Sequence, residues 1–386
     1  MKSANQTKPV FDYKASRVIV ADASARALAA SSLRAGLPVS TIDLFADADT
    51  VAICRKSNDH LLSNQTANFT MQCESMEQIA QRVEQVLGDA DFQTPSGPPM
   101  ILIGGGLENY FRNQNYFRNH STCHKLTQQT SAFGFIETGR WRSVKEFCHL
   151  NSVRFPPTTQ ELATSEQEQE WLVKTDFTSG GVGVQFAQSK ITTKPDQYFQ
   201  KYIDGQPFSA CYVAVPGGEN AEFPVVEMVG VCEPICSSDL GVLDRTTNQR
   251  FPFRYRGSVG PIKPSRLVGP SLAEVKRVGS LVANHFGLAG IFGIDFIHQQ
   301  DILWLLEINP RITASAELIE YAARETMPSF SIVQLHLDAL ARNLTDMSAL
   351  VDVCQSASPA DRIFAKRIVY RHHEAKQPLR LSLIHI

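Results

Sequence analysis

The chain has 386 residues, 43% hydrophobic and 20% charged, which is ordinary for a folded protein and enough for two or three domains. Lys and Arg number 37 against 39 Asp and Glu, so the net charge of −2 gives no basic surplus that would call for nucleic acid or an anionic membrane as partner. No apolar run reaches the roughly 18 residues of a membrane helix, and the polar Met1–Pro9 lacks a secretory signal, so a cytoplasmic location is expected.

Arg17–Ala21 is a short β-branched run that reads as a buried strand. Asp22, Ala23 and Ser24 lead into an Ala/Leu/Arg helix over 25–35, closed by Gly36. Val39–Phe45 reads as a second strand, and a strand–helix–strand unit of this size predicts a parallel α/β sheet. Met76–Leu87 has helical spacing, 95–99 is a loop, and Met100–Ile103 is a third strand ending in Gly104, Gly105 and Gly106. No G-x-G-x-x-G is present and no Gly-Lys-Ser/Thr follows, so the triple glycine reads as a tight strand-to-helix turn. Residues 108–128, rich in Asn, Arg, Gln and His, suggest no element, whereas Val144–Leu150 looks helical and Phe155-Pro156-Pro157 ends that unit.

Trp171–Lys174 is a strand ending in a lysine, followed by a loop with Gly180, Gly181 and Gly183 and by a strand over Val184–Ala187. A lysine beside a glycine-rich hairpin suits phosphate, because the ammonium is compact and glycine lets backbone N–H groups approach the oxygens. Tyr198–Ile203 and Phe208–Val215 are further strands. The strongest signal is a hairpin of Gly290–Ile297 and Ile302–Asn309 joined by 298–301. Asp295 and Glu307 interrupt its apolar strands, Glu307 and Asn309 share a face, and closing the hairpin brings Asp295 level with Glu307. Paired carboxylates in apolar surroundings repel unless a cation joins them, and Mg²⁺ takes oxygen ligands and bridges to phosphates. Arg311, after Pro310, suits a phosphate or carboxylate. Two edge-strand acids facing water are the competing reading, disfavoured by the flanking apolar residues.

Arg254 and Arg256 share a face if extended and could clamp a carboxylate, a reading balanced evenly against ordinary surface arginines. None of the eight cysteines forms a Cys-x-x-Cys pair; Cys232 with Cys236, and Cys123 between His120 and His124, read as incidental rather than metal-binding. Leu381–Ile386 follows a strand-like stretch and reads as the translation of a sequencing adapter, so 381–386 is expected to be a non-native tail.

Together these motifs resemble the ATP-grasp superfamily over about residues 140–330, with Glu307-Ile308-Asn309-Pro310-Arg311 the most specific match. The resemblance implies an α/β (α+β ATP-grasp) fold: an N-terminal Rossmann-like domain at 1–110, a helical linker and lid at 111–203, a mainly antiparallel core at 204–345, and an incomplete segment at 346–380. It implies ATP with Mg²⁺ or Mn²⁺ as cofactors. Asp295, Glu307 and Asn309 would be the metal ligands, Lys174 the lid lysine, Gly180, Gly181 and Gly183 the phosphate loop, and Arg311 the group near the transferred phosphate. Gln200, Lys201, Tyr202 and Ile203 would form the adenine hinge, with Lys201 pointing at the base. Many members have an earlier lysine where this chain has Arg140-Trp141-Arg142, and a hinge glutamate where it has Gln200. The activity implied is a carboxylate–amine ligase, working through an acyl phosphate on small-molecule carboxylate and amine substrates; a homodimer is compatible with it. A narrower similarity is to ATP-grasp proteins of tetrahydromethanopterin and methanofuran one-carbon pathways, tyramine–glutamate ligase-like enzymes among them. The alternatives are a carboxylate–thiol ligase or small-molecule kinase on the same fold, and a nucleotide-binding regulatory protein.

Overall fold

The computed structural model describes residues 13, 16–61, 67–89, 99–113, 132–162, 170–187, 194–217, 224–236, 253–263, 272–356, 364–368 and 384–385. Most of the loop expected at 95–99, most of the unassigned stretch at 108–128, His120, Cys123 and His124 lie outside them.

The N-terminal part is a parallel sheet of β1 (Val18–Ala21), β2 (Val39–Asp43), β3 (Thr70–Gln72) and β4 (Met100–Ile103), in the order β3-β2-β1-β4. Burial of every residue of β1 and β4 explains their uninterrupted apolar runs. Helices α1 (Arg26–Arg34), α2 (Ala48–Lys56) and α3 (Met76–Gly88) connect the strands. Gly36 ends α1 with φ +74°, the left-handed conformation that glycine adopts without steric cost. Strand β2 stops two residues earlier than its apolar pattern suggests. The Asp43 carboxylate accepts the Ala25 and Ala46 N–H groups and turns the chain there. From β1 the chain builds outward through β2 to β3, then crosses back to place β4 on the other side of β1. The winding direction therefore reverses between β1 and β4. Gly104–Gly106 turns β4 into α4 (Leu107–Asn113).

Two helices, α5 (Ala132–Glu137) and α6 (Trp141–Leu150), lead to a small antiparallel sheet. It comprises β5 (Thr158–Thr159), β6 (Trp171–Thr175), β7 (Gln185–Phe186) and β8 (Gln197–Lys201), in the order β5-β8-β6-β7. The strand expected over Val184–Ala187 shrinks to two residues, since positive φ at Gly180, Gly181 and Gly183 coils the chain up to that point.

The large sheet holds β9 (Gln206–Val215), β10 (Val225–Cys236), β11 (Tyr255–Gly260), β12 (Gly290–Gln299), β13 (Ile302–Asn309), β14 (Phe364–Arg367) and β15 (Ile384–His385). Its order is β13-β12-β9-β10-β11-β14-β15, and all pairings are antiparallel. The hairpin extends further than its apolar run: β12 continues to Gln299 and turns at Gln300, φ +54°. His298 is thus a strand residue rather than a turn residue. Ile384–His385, within the expected non-native tail, pairs with β14.

Helix α7 (Leu272–Phe286) covers one face of the large sheet; α8 (Ala316–Thr326), α9 (Ile332–Leu340) and α10 (Leu344–Ser356) pack near its other face. One hydrophobic cluster runs from β1, β4 and α1 through α8–α10 into β9, so the parallel sheet docks on the core through apolar contact. Polar stitches fix the docking. Ser31 Oγ and Ser331 Oγ lie 2.9 Å apart, Tyr13 donates to Asp338 at 2.5 Å, Arg26 pairs with Glu317 at 2.6 Å, and Arg34 pairs with Glu320.

Gly279 tests how tightly α7 meets the sheet. A Cβ there would fall 2.2 Å from Cε1 of the buried Tyr212, whose hydroxyl donates to the Val275 carbonyl at 2.8 Å. Alanine normally stabilises a helix interior over glycine by about 1 kcal/mol, but overpacking a core costs about 1–3 kcal/mol. Gly279→Ala is expected to lower the midpoint of urea unfolding; an unchanged or raised midpoint would show that the Tyr212 ring yields freely.

Candidate active site

The β12–β13 hairpin sets Asp295 directly opposite Glu307 and Asn309 opposite Gly293. Asn309 Nδ2 donates to Asp295 Oδ2 at 3.2 Å. Ser209 of β9 is Asp295's partner on the other side, and its hydroxyl also bonds the carboxylate. The flanking apolar residues suggest a sealed setting for this pair, but the structure places it in a cleft. Strand β13 is the edge of the sheet, and Glu307 is crowded by protein yet keeps substantial contact with solvent. Desolvation, followed by the neighbouring Asp295, pushes Glu307 up to about 7, and desolvation also raises Asp295.

Lys174 comes from the small sheet. It lies opposite Tyr198 on β8 and donates to Gln200 Oε1 at 2.7 Å. Gln200 Nε2 in turn donates to Thr158 Oγ1 at 3.2 Å, so the amide holds the lysine from a buried, fixed position. Desolvation lowers the Lys174 pKa, opposed by the Glu307 and Asp295 charges, which puts the ammonium within electrostatic reach of the acid pair.

The glycine loop lies against the start of β11. A Cβ on Gly181 would fall 1.8 Å from the Phe253 carbonyl oxygen, and the Gly180 carbonyl accepts the Tyr255 N–H at 2.9 Å. Only glycine permits this approach at Gly181, φ +71°.

At the hinge, the Lys201 N–H is donated to Pro157 O at 2.8 Å and the Tyr202 N–H to Glu170 O at 2.7 Å. Of the three hinge N–H groups, that of Ile203 is the one without a hydrogen bond among the described residues. Lys201 Nζ lies 3.6 Å from Glu170 in a half-exposed pair.

Arg311 joins the hairpin to the parallel sheet. Its Nε donates to Glu108 Oε1 at 2.6 Å, its Nη2 to Asn309 Oδ1 at 3.2 Å, and its Nη1 to Ile312 O at 3.4 Å. A Cβ on Gly105 would sit 3.5 Å from the guanidinium, and one on Gly104 would sit 1.9 Å from Asp22 Cγ. The triple glycine therefore lets two charged side chains approach the backbone. Desolvation pushes Asp22 up to about 7, although Arg311 pulls in the opposite direction.

Lys174, Asp295, Glu307, Asn309 and Arg311 thus converge, with Gln200 behind Lys174. Arg254 and Arg256 do not form the simple extended pair. Arg254 precedes β11, and the β10–β11 register slips at Ile235/Cys236, opposite Arg256. Arg140 pairs with Glu137 at 3.0 Å, and Arg142 lies over the Trp141 ring. Asp22 and Glu108 escape sequence reasoning as functional residues, because neither carries a motif. Their one signal is position: both follow strands of a parallel sheet, at the carboxyl ends where α/β folds bind ligands.

The acid pair gives a test in the isolated protein. Glu307's pKa is raised from its ordinary 4.5, so its charged form costs stability as pH rises towards about 7. Glu307→Gln is therefore expected to raise Tm at pH 8 and to change it little at pH 4. Added Mg²⁺ is expected to raise the wild-type Tm at pH 8 and to act less on the variant. An equal Mg²⁺ response in both proteins would remove Glu307 as a ligand.

Comparison with known proteins follows this geometry. Residues 139–315 match the model of the ATP-grasp domain. Carboxyaminoimidazole ribonucleotide synthase from Aspergillus clavatus, solved with ATP, is similar at TM-score 0.55 and 14% identity over 92% of this chain and 82% of that one. An L-amino acid ligase from Bacillus licheniformis is similar at 0.55 and 12% over 92% and 80%. The biotin carboxylase domain of Hydrogenobacter thermophilus 2-oxoglutarate carboxylase, solved with MgADP, ADP and bicarbonate, is similar at 0.56 and 13% over 91% and 74%. These likenesses concern the fold. Among curated proteins, the carbamoyl phosphate synthase large chain of Helicobacter pylori is 36% identical over 59 residues, 15% of this chain and 5% of that protein. Residues 139–315 thus match the ATP-grasp domain, and the solved structures share the fold of the chain around it.

Proposed function

We propose that this protein is an ATP-dependent ligase that activates a small-molecule carboxylate as an acyl phosphate and passes it to an amine, releasing ADP and phosphate. The observation that carries the reading is the meeting of Asp295 and Glu307 with Lys174 and Arg311 in one cleft of an ATP-grasp domain. ATP and Mg²⁺ are the cofactors expected of such a domain, and the donors suit the ion. Two carboxylates raised by desolvation, with Asp295 adding to the shift of Glu307, and an amide are hard oxygen ligands, and a divalent cation relieves the repulsion of the acids. When bound, Mg²⁺ would neutralise phosphate charge and orient the nucleotide.

The chain's own groups do the rest by position and charge. Lys174, held by Gln200, faces the phosphates from the small sheet. Gly180, Gly181 and Gly183 let backbone N–H groups approach them. Arg311, fixed by Glu108 and Asn309, stabilises negative charge on the transferring phosphoryl group from the opposite side. Adenine would lie at the Gln200–Ile203 hinge, read by the Ile203 N–H and by a backbone carbonyl. Arg254 and Arg256, beside the glycine loop, would hold the substrate carboxylate. The L-amino acid ligase of similar fold supports the ligase reading. None of the helices among the described residues is long and apolar enough to cross a membrane.

Wild-type protein with MgATP and a panel of carboxylates is expected to release ADP, and with hydroxylamine as trap to form the hydroxamate. Lys174→Met and Arg311→Met are expected to lower kcat by about 10²–10³, as for loss of one charge-stabilising group. A thioester or phosphoester as the only product by mass spectrometry would replace the amide assignment. ATP turnover equal to that of Asp295→Ala across the whole panel would favour a nucleotide-binding regulator.

A further inference from the structure

The parallel sheet carries its own polar site, separate in sequence from the matched domain. Between β1 and β4 the winding direction of the sheet reverses, and the crevice outside the carboxyl ends at such a reversal is where open α/β sheets bind ligands. The residues at those two ends are Asp22 and Gly104–Gly106, with Glu108 one turn further on.

Their chemistry specifies a ligand. The Asp22 carboxylate occupies the space that a Gly104 side chain would fill, accepts the Ala23 N–H, and retains partial contact with solvent. Glu108 is 2% exposed; one of its oxygens holds Arg311, while the other, Oε2, is buried with no hydrogen-bond partner among the described residues. Two carboxylates thus share Arg311, and Lys366, the other cation within electrostatic reach of Asp22, is already paired with Glu317. A divalent metal would find two carboxylates here, one of them already engaged by Arg311, and no third acidic, histidine or cysteine ligand among the described residues. A monovalent ammonium supplies one positive charge and three donors, matching one partly solvated carboxylate and one orphaned oxygen.

We propose that Asp22, with Glu108 behind it, binds the ammonium group of the amine substrate beside Arg311. This inference rests on the ligase reading above and narrows it: the acceptor is a primary amine that arrives protonated at the N-terminal sheet, passes one proton to the Asp22 carboxylate, and attacks the acyl carbon with the freed electron pair as phosphate leaves. Asp22 is the member of the site that solvent reaches, whereas Glu108 is buried.

The test uses the full chain with methylamine, ethanolamine, glycine and tyramine as probes, and with hydroxylamine, a nucleophile that is uncharged near pH 8. Asp22→Asn is expected to raise KM for the preferred amine at least tenfold while KM for ATP moves less than threefold. It is expected to lose far less of its hydroxylamine-dependent rate than of its amine-dependent rate. Gly104→Ala, which changes no charge but drives a Cβ into Asp22, is expected to reproduce this pattern. Calorimetry without nucleotide is expected to show the preferred amine binding to wild type and not to Asp22→Asn. Equal losses with amine and hydroxylamine would mean that Asp22 acts only through Arg311 and would overturn the proposal. If wild type forms no hydroxamate yet binds an amine that Asp22→Asn does not, the ligase reading fails and the ammonium site stands. Absence of amine binding together with an unmoved KM would sink the site itself.

Discussion

Everything at this site answers to the pairing of Asp295 with Glu307 across the β12–β13 hairpin. Like charges directly opposite on neighbouring strands destabilise a sheet, and desolvation in the cleft worsens it. The surrounding groups fall into place as responses. Asn309 and Ser209 donate to Asp295, Lys174 approaches from the small sheet, and Arg311 bonds to the Asn309 amide that touches the pair. Glu307 sits on the sheet's edge strand, so solvent and ions can reach the pair. A cost built into a fold at an accessible cleft is the usual signature of a ligand that removes it.

Three separate pieces of chain supply these responses, and their spacing depends on rigid supports rather than on the charges themselves. Gln200 and Thr158 fix Lys174, and the tight contact of the glycine loop with Phe253 and Tyr255 ties the small sheet to the large one. Arg311 is fixed from the far side by Glu108, which stands on a parallel sheet held to the core by one continuous apolar cluster and by the Ser31–Ser331, Arg26–Glu317 and Arg34–Glu320 contacts. A shift of the parallel sheet would therefore be felt at Arg311 and, one hydrogen bond later, at Asn309.

The hairpin was readable because β-strands alternate faces: Asp295, Glu307 and Asn309 in two apolar runs joined by a short turn leave little freedom of register. The glycine loop was readable for a similar reason, since three glycines in four positions serve a backbone that ordinary residues rarely adopt, and all three have positive φ. What escaped was everything that depends on neighbours. Strand β10 has no meaning without β9, and the apolar flanks of Glu307 did not bury it, because β13 is the edge of the large sheet among the described residues. Lys201 reads as a residue facing the base, yet its ammonium is drawn to Glu170, a surface partner 31 positions earlier.

By itself the sequence determined the parts: a parallel α/β start, a lysine with its glycine loop, and a hairpin bearing two acids and an amide, each written in local spacing. Tertiary structure alone decided which distant groups complete them. Glu108 and Arg311 are 203 positions apart and meet at 2.6 Å, and Asp22 meets Gly104 only because β1 and β4 are neighbours in the sheet. No local pattern encodes such meetings, because they follow from strand order and from the docking of one sheet on another.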